Sequence, residues 1–339
     1  MSNCLDAEEL KYQTDMQRLK PFFVHPSYNS SAFLTHTTEQ IRLLRPSTKQ
    51  RQDCKLALED PRVVAWREAW REDDAGCNPK IIWFTSKTCS TAISHVTLEA
   101  MDSVSDFGKE INSHTPKLLH SLYHIDKPST NLPENKRTAC TLLKEAIFQL
   151  LLQVPSLLQE NKKLHAICNT QDHSTEKDMS MEELAQLLQE LLNTYESSSI
   201  SSQSFSDTTS GSSSAPHTPQ QNSSQKPPIF WIIDRIDTCI FKARPKHIEP
   251  ALKPLYRNAS ELRKFANVLQ KLVSRPAQGK SHEDGRGERS GVLRVLVTSI
   301  YGPTRIDEEF LEHEDGDDGH SGYEKGRKKR SDIWAELLV

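Results

Sequence analysis

The chain predicts an α/β fold, in which a central parallel sheet is covered by helices on both faces. Three observations predict it. Short, largely apolar runs occur at 81–84, 229–233 and 292–298, too short for helices and without the alternation of a half-exposed strand. Amphipathic helical segments stand between them, at 138–153, 181–192 and 260–273. An acid, Asp234, follows the apolar run 229–233 directly, and a second, Asp237, comes three positions later. In sheets of this kind ligands gather at the carboxyl ends of the strands, so an acid placed there faces a ligand crevice.

Composition sets the outer bounds. The chain has 339 residues and a formal net charge of -3, which suits one large domain or two ordinary ones. The balanced charge excludes the basic footprint of a general nucleic-acid binder. No apolar run approaches the ~20 residues that cross a bilayer. The opening residues, MSNCLDAEELKYQ, are polar and acidic and do not read as a secretory signal. Seven cysteines, scattered without a CxxC pair, read as reduced thiols of a cytoplasmic protein, with the nucleus as second choice. Neither they nor the 13 histidines have zinc-ligand spacing.

The elements follow in order. Residues 6–20 have helical periodicity, and 21–50 read as mixed and loop-like. From Cys54 to Arg71 one or two helices are expected, broken at Pro61. Ile81 to Phe84 read as a buried strand, TSKTCST as a turn, and Ala92, Ile93, Val96 and Ala100 as one helix face. A second strand is expected at 117–125. Leu142, Leu143, Ala146, Ile147, Leu150 and Leu151 then share a helix face, with Pro155 just beyond. Ser180 and Glu183 have capping-box spacing and open a leucine-rich helix. Residues 197–226 are so rich in serine, and so poor in anything to bury, that they read as a disordered insertion. A strand at 229–233, a helix at 260–273 and a strand at 292–298 complete the pattern. The rest is acidic, then basic through GRKKR, and ends in IWAELLV, which reads as an amphipathic docking helix. GRKKR reads as a solvated charge cluster rather than a nuclear address.

Several of these stretches, in this order, resemble the nucleotide-binding domain of NACHT-like STAND proteins. These are the signalling NTPases common in filamentous fungi, of the nephrocystin-like N-terminal type. EDPRVVAWREAW followed by KIIWF resembles the family's lead-in helix and first strand. LLKEAIFQLLLQVPSLL resembles its L-L-x-x-L-x-x-Q-L-L-x-x-x-P-x-L helix. IFWIIDRIDTC resembles the Walker B strand, hhhhD-x-h-D-E-C, and VLRVLVTSIYGP resembles the sensor strand, h-h-h-T-S-R. The resemblance covers 55–305. It implies a three-layer α/β/α P-loop-NTPase-like domain there, a helical N-terminal extension at 1–54 and a charged tail at 306–339. It also implies that 80–101 and 229–240 lie on neighbouring strands, with Asp234 facing a phosphate pocket.

The departures from the family decide the expected activity. A working P-loop reads G-x-x-x-x-G-K followed by Ser or Thr, because glycines turn backbone amides onto the phosphates and the lysine neutralises them. FTSKTCSTAIS has no glycine and is short. With Ser90 and Thr91 aligned to the final pair, Cys89 stands at the lysine position, and Lys87 is the nearest cation. Thr238 stands where the family has its water-polarising glutamate, and a threonine is no base at neutral pH. Ile300 replaces the sensor arginine after Thr298 and Ser299, and it cannot form charge-assisted hydrogen bonds. Phosphoryl transfer depends on positioning and charge, and three of its suppliers are altered together.

The expected function is therefore a non-catalytic NACHT-like scaffold or regulatory module acting through protein partners. It needs no cofactor and neither crosses a membrane nor reads nucleic acid. The alternative is a nucleotide-binding protein or slow hydrolase. It would take Mg-ATP or Mg-GTP through Lys87, Ser90 and Thr91, with Asp234 and Asp237 holding the metal and Thr298 and Ser299 at the sensor position. A third class is an interaction protein recognised through its serine-rich segment. Cys89 reads as an ordinary small residue, since His95 lies within the following helix, and His120 and His124 fall on a predicted strand and form no metal site.

Overall fold

A computed structural model describes residues 3–24, 30–43, 46–68, 79–85, 92–110, 115–122, 138–169, 179–198, 226–236, 259–274, 292–299 and 334–338. The chain begins with four helices, α1 (Asn3–Phe23), α2 (Ser30–Leu43), α3 (Thr48–Leu58) and α4 (Pro61–Glu68). Then come β1 (Ile81–Thr85), α5 (Ala92–Glu110), β2 (Lys117–Ser121), α6 (Ala139–Gln153), α7 (Ser156–Glu160), α8 (Lys162–Asn169) and α9 (Met181–Ser197). The last elements are β3 (Ile229–Ile233), α10 (Ala259–Val273), β4 (Leu293–Ser299) and β5 (Trp334–Leu338).

Local chemistry sets several boundaries. The Ser180 hydroxyl accepts the Glu183 N–H while the Glu183 carboxylate accepts the Ser180 N–H, the capping box predicted for α9. Ser47 and Gln50 make the same reciprocal pair at α3, and Thr138 caps α6. Pro61 starts α4, where its missing N–H costs nothing.

The five described strands form one parallel sheet in the order β2-β3-β4-β1-β5. Alternate residues feed two separate cores. Ile81, Trp83, Leu119, Ile229, Trp231, Ile233, Val295 and Val297 pack with α1, α6, α9 and α10. Ile82, Phe84, Phe230, Ile232, Leu296 and Leu337 pack with residues of α2, α3, α4 and α5. Because both faces are covered, β1 and β3 are buried along their whole length, which is why they read as unbroken apolar runs.

β2 lies at one end of the sheet, and its outward backbone groups pair with side chains of α6. Gln149 accepts the His120 N–H (2.9 Å) and donates to its carbonyl (2.7 Å). One turn on, Gln153 accepts the Leu118 N–H (3.2 Å) and donates to its carbonyl (2.8 Å). Two helical amides thus stand in for a further strand and close an edge that would otherwise invite pairing.

Three expectations are corrected. Residues 21–50 are not loop-like, since they hold the whole of α2, the end of α1 and the start of α3. Their threonine-rich sequence has little intrinsic helicity, and α2 is held instead by burial of Ile41, with Leu34 packed against the same core. The tail IWAELLV is not a helix; residues 334–338 add β5 beside β1, where backbone pairing overrides local preference. β1 and β3 are not neighbours, because β4 lies between them. The serine-rich stretch falls outside the described residues except at its ends. Those ends meet: Lys226 donates to the Ser198 hydroxyl and sits 4.6 Å over the Tyr195 ring, whose hydroxyl donates to the Pro227 carbonyl (3.1 Å).

Candidate functional site

Buried polar side chains concentrate at the carboxyl ends of the strands: Ser121 on β2, Asp234 after β3, Thr298 and Ser299 on β4, and Thr85 on β1. The helix following β1, α5, lies on one face and the helix following β3, α10, on the other, so the strand ends lie between them.

Asp234 is fully buried, at 0% exposure. Its N–H extends the β2 pairing by donating to the Ser121 carbonyl (3.0 Å). Among the described residues, its carboxylate receives three hydroxyl hydrogen bonds. Ser94 donates to Oδ2 (3.0 Å), and Thr97 (3.0 Å) and Thr298 (2.8 Å) donate to Oδ1. Ser94 and Thr97 are three residues apart in the first turns of α5, so both lie on the side facing the strand ends. The contact between the two segments is therefore carried by α5, which reaches the end of β3 although β4 separates β1 from β3.

The next residue turns the chain sharply. Arg235 has φ of 52°, the left-handed region, and its N–H donates to the Thr298 hydroxyl (2.8 Å). Thr298 thus joins two consecutive residues of the β3 turn to β4. Ser299 accepts the indole N–H of Trp83 (2.6 Å), and Ser121 accepts that of Trp231 (3.2 Å). Thr298 and Ser299 therefore both make hydrogen bonds within the sheet.

Sequence reasoning located Asp234, Thr298 and Ser299, and the structure brings all three to one end of the sheet. It missed Ser94, Thr97 and Ser121. The available signal was the pair of hydroxyls at i and i+3 beside the apolar face of α5. Lys87, Ser90, Thr91 and Asp237 lie outside the described residues, as do Cys89, Thr238 and Ile300.

A magnesium ion wants near-octahedral oxygens at about 2.0–2.1 Å and keeps several waters. The carboxylate of Asp234 is enclosed without exposed surface, with hydroxyl donors at 2.8–3.0 Å on both oxygens. Those distances are hydrogen bonds, and this arrangement does not fit direct coordination of the ion. Among the described residues no group of three or more His, Cys, Asp and Glu side chains is placed to hold a metal. No described helix is long and apolar enough to cross a membrane.

Other titratable groups lie apart from this cluster. His120 on β2 is buried, and burial pushes its imidazole down to about 4. Its Nδ1 finds no hydrogen-bond partner among the described residues. His95 is lowered by burial and then by the charge of Arg51. Burial pushes the Cys54 thiol up to about 11, with Glu99 and Asp53 adding to it, so this thiol is unreactive at neutral pH. An open groove of about 520 Å³ between α1 and α8 is lined by Lys11, Asp15, Arg18, His165 and Cys168, none of which belongs to the Asp234 cluster. No protein-family model, curated protein or solved structure matches the chain.

Proposed function

We propose that the chain is a non-catalytic, NACHT-like scaffold or regulatory module of three-layer α/β/α, P-loop-NTPase-like architecture, acting through protein partners. One observation carries this reading. The acid at the Walker B position is enclosed by hydroxyls from α5 and β4 and joins three elements through its hydrogen bonds. A carboxylate used this way holds the crevice together instead of presenting charge to a metal–phosphate ligand. The residues at the sensor position support the same reading, since Thr298 and Ser299 bind Asp234 and Trp83. The altered loop, glutamate and arginine positions of the sequence agree with it.

One contact favours the alternative, a nucleotide-binding protein or slow hydrolase. A hydroxyl at the start of α5, Ser94, lies 3.0 Å from Asp234, and a Mg-nucleotide site pairs a helix-start hydroxyl with an acid in this way. Titration with Mg-ATP and Mg-GTP, followed by calorimetry, separates the two. The scaffold reading expects no saturable binding, with Asp234→Ala changing stability alone. Micromolar binding that Asp234→Ala abolishes overturns it.

A further inference from the structure

The slot beside β1 is filled by a segment that joins the sheet late and on one side. β5 runs parallel to β1 in register from Ile81↔Trp334 to Thr85↔Leu338. Its extensive packing is against β1. Leu337 is buried in the core shared with Phe84 and Ile82, and its carbonyl lies 3.4 Å from the Thr85 hydroxyl, which donates to it. β4 ends at Ser299, so residues 300–333 connect it to β5. That connection has a contour length on the order of 100 Å.

We propose that this slot is an exchange site between two copies of the chain, in which residues 334–338 of one copy pair with β1 of the other. β1 is buried from end to end, so its edge needs a strand beside it. Residues 334–338 of a second copy make the same ladder and bury the same Leu337. Reciprocal exchange therefore changes no contact type and closes a two-fold dimer. Because the chain's own segment is covalently connected, the closed monomer dominates when dilute, and exchange rises with protein concentration. The inference stands independently of the scaffold reading, because it uses none of the residues around Asp234.

The test is a double cysteine variant of the full chain, Thr85→Cys with Leu338→Cys, whose backbones are register partners on strands about 4.8 Å apart. The single variants serve as controls for the native thiols. On oxidation, intrachain disulfides are expected at low protein concentration. Disulfide-linked dimers, including hybrids with a tagged copy, are expected in growing proportion as concentration rises. Adding Leu337→Asp is expected to cut the dimer fraction by at least about tenfold. Intrachain disulfides alone at every concentration overturn the proposal, as do hybrid dimers that survive Leu337→Asp. Should the cysteine variant fail to fold, sedimentation velocity on the unmodified chain decides. Self-association that Leu337→Asp removes supports exchange, and a monomer throughout a rise to roughly millimolar concentration overturns it.

Discussion

The Thr298 hydroxyl donates to the Asp234 carboxylate over 2.8 Å and accepts the Arg235 N–H over 2.8 Å, so one β4 side chain fixes both the acid and the turn that follows it. With Ser94 and Thr97 added, a single buried carboxylate joins α5, β3 and β4. Removing the acceptor leaves three hydroxyls facing one another. Asp234→Ala is expected to cost about 2–4 kcal/mol of unfolding free energy. Asp234→Asn, which keeps one acceptor oxygen, is expected to cost roughly half as much. Urea unfolding with and without magnesium checks both; the scaffold reading expects the ion to make no difference.

Arg235 supplies a second prediction. A left-handed residue with a Cβ carries about 1 kcal/mol of strain, and glycine relieves it at some entropic cost. Arg235→Gly is therefore expected to leave stability unchanged or raise it by up to about 1 kcal/mol. Arg235→Val, β-branched at the same φ, is expected to lower it by more than that. Thermal unfolding of the pair gives the comparison, and equal losses in both would count against backbone strain at this turn.

The glutamine clamp predicts a stability loss coupled to association. Gln149→Ala and Gln153→Ala each leave a donor and an acceptor of β2 without their partners, at about 1–3 kcal/mol apiece. The two sites hold one strand, so the double variant is expected to be non-additive. An uncovered edge also pairs with other chains, so light scattering should rise with the loss of stability.

His120 makes stability pH-dependent. The folded protein holds it neutral to about pH 4, whereas the unfolded chain takes the proton near pH 6.5. Its contribution is thus fully present above pH 6.5 and is lost as pH falls toward 4. The full loss is on the order of 3 kcal/mol. In His120→Leu this part of the acid sensitivity should disappear, while the backbone bonds to Gln149 remain. Urea midpoints between pH 7 and pH 4.5 test it, and parallel acid dependence in both proteins would rule the assignment out.

The joined ends of the serine-rich stretch predict tolerance to its removal. Tyr195, Ser198, Lys226 and Pro227 already hold the flanks together. Replacing 199–225 by a short Gly-Ser link is expected to change stability by no more than about 1 kcal/mol, because loop-closure entropy varies slowly with length. A larger loss would show that the segment packs against the domain.

Local sequence by itself determined the α/β class, since unbroken runs such as Ile229 to Ile233 have a meaning only in strands covered on both faces. It determined the capping of α9 by Ser180 and Glu183, and the place of Asp234 at a strand end. Such features are written within a few residues, by periodicity and capping chemistry. Only the tertiary structure decided the strand order, the insertion of β4 between β1 and β3, and the recruitment of 334–338 as a strand. It alone brought Ser94 and Thr97 to Asp234, 140 and 137 residues away along the chain, and turned Gln149 and Gln153 onto β2. The reason is physical: a hydroxyl or amide carries no local signal of its distant partner, and the pairing arises only when two faces packed for their apolar residues bring polar groups within hydrogen-bond reach.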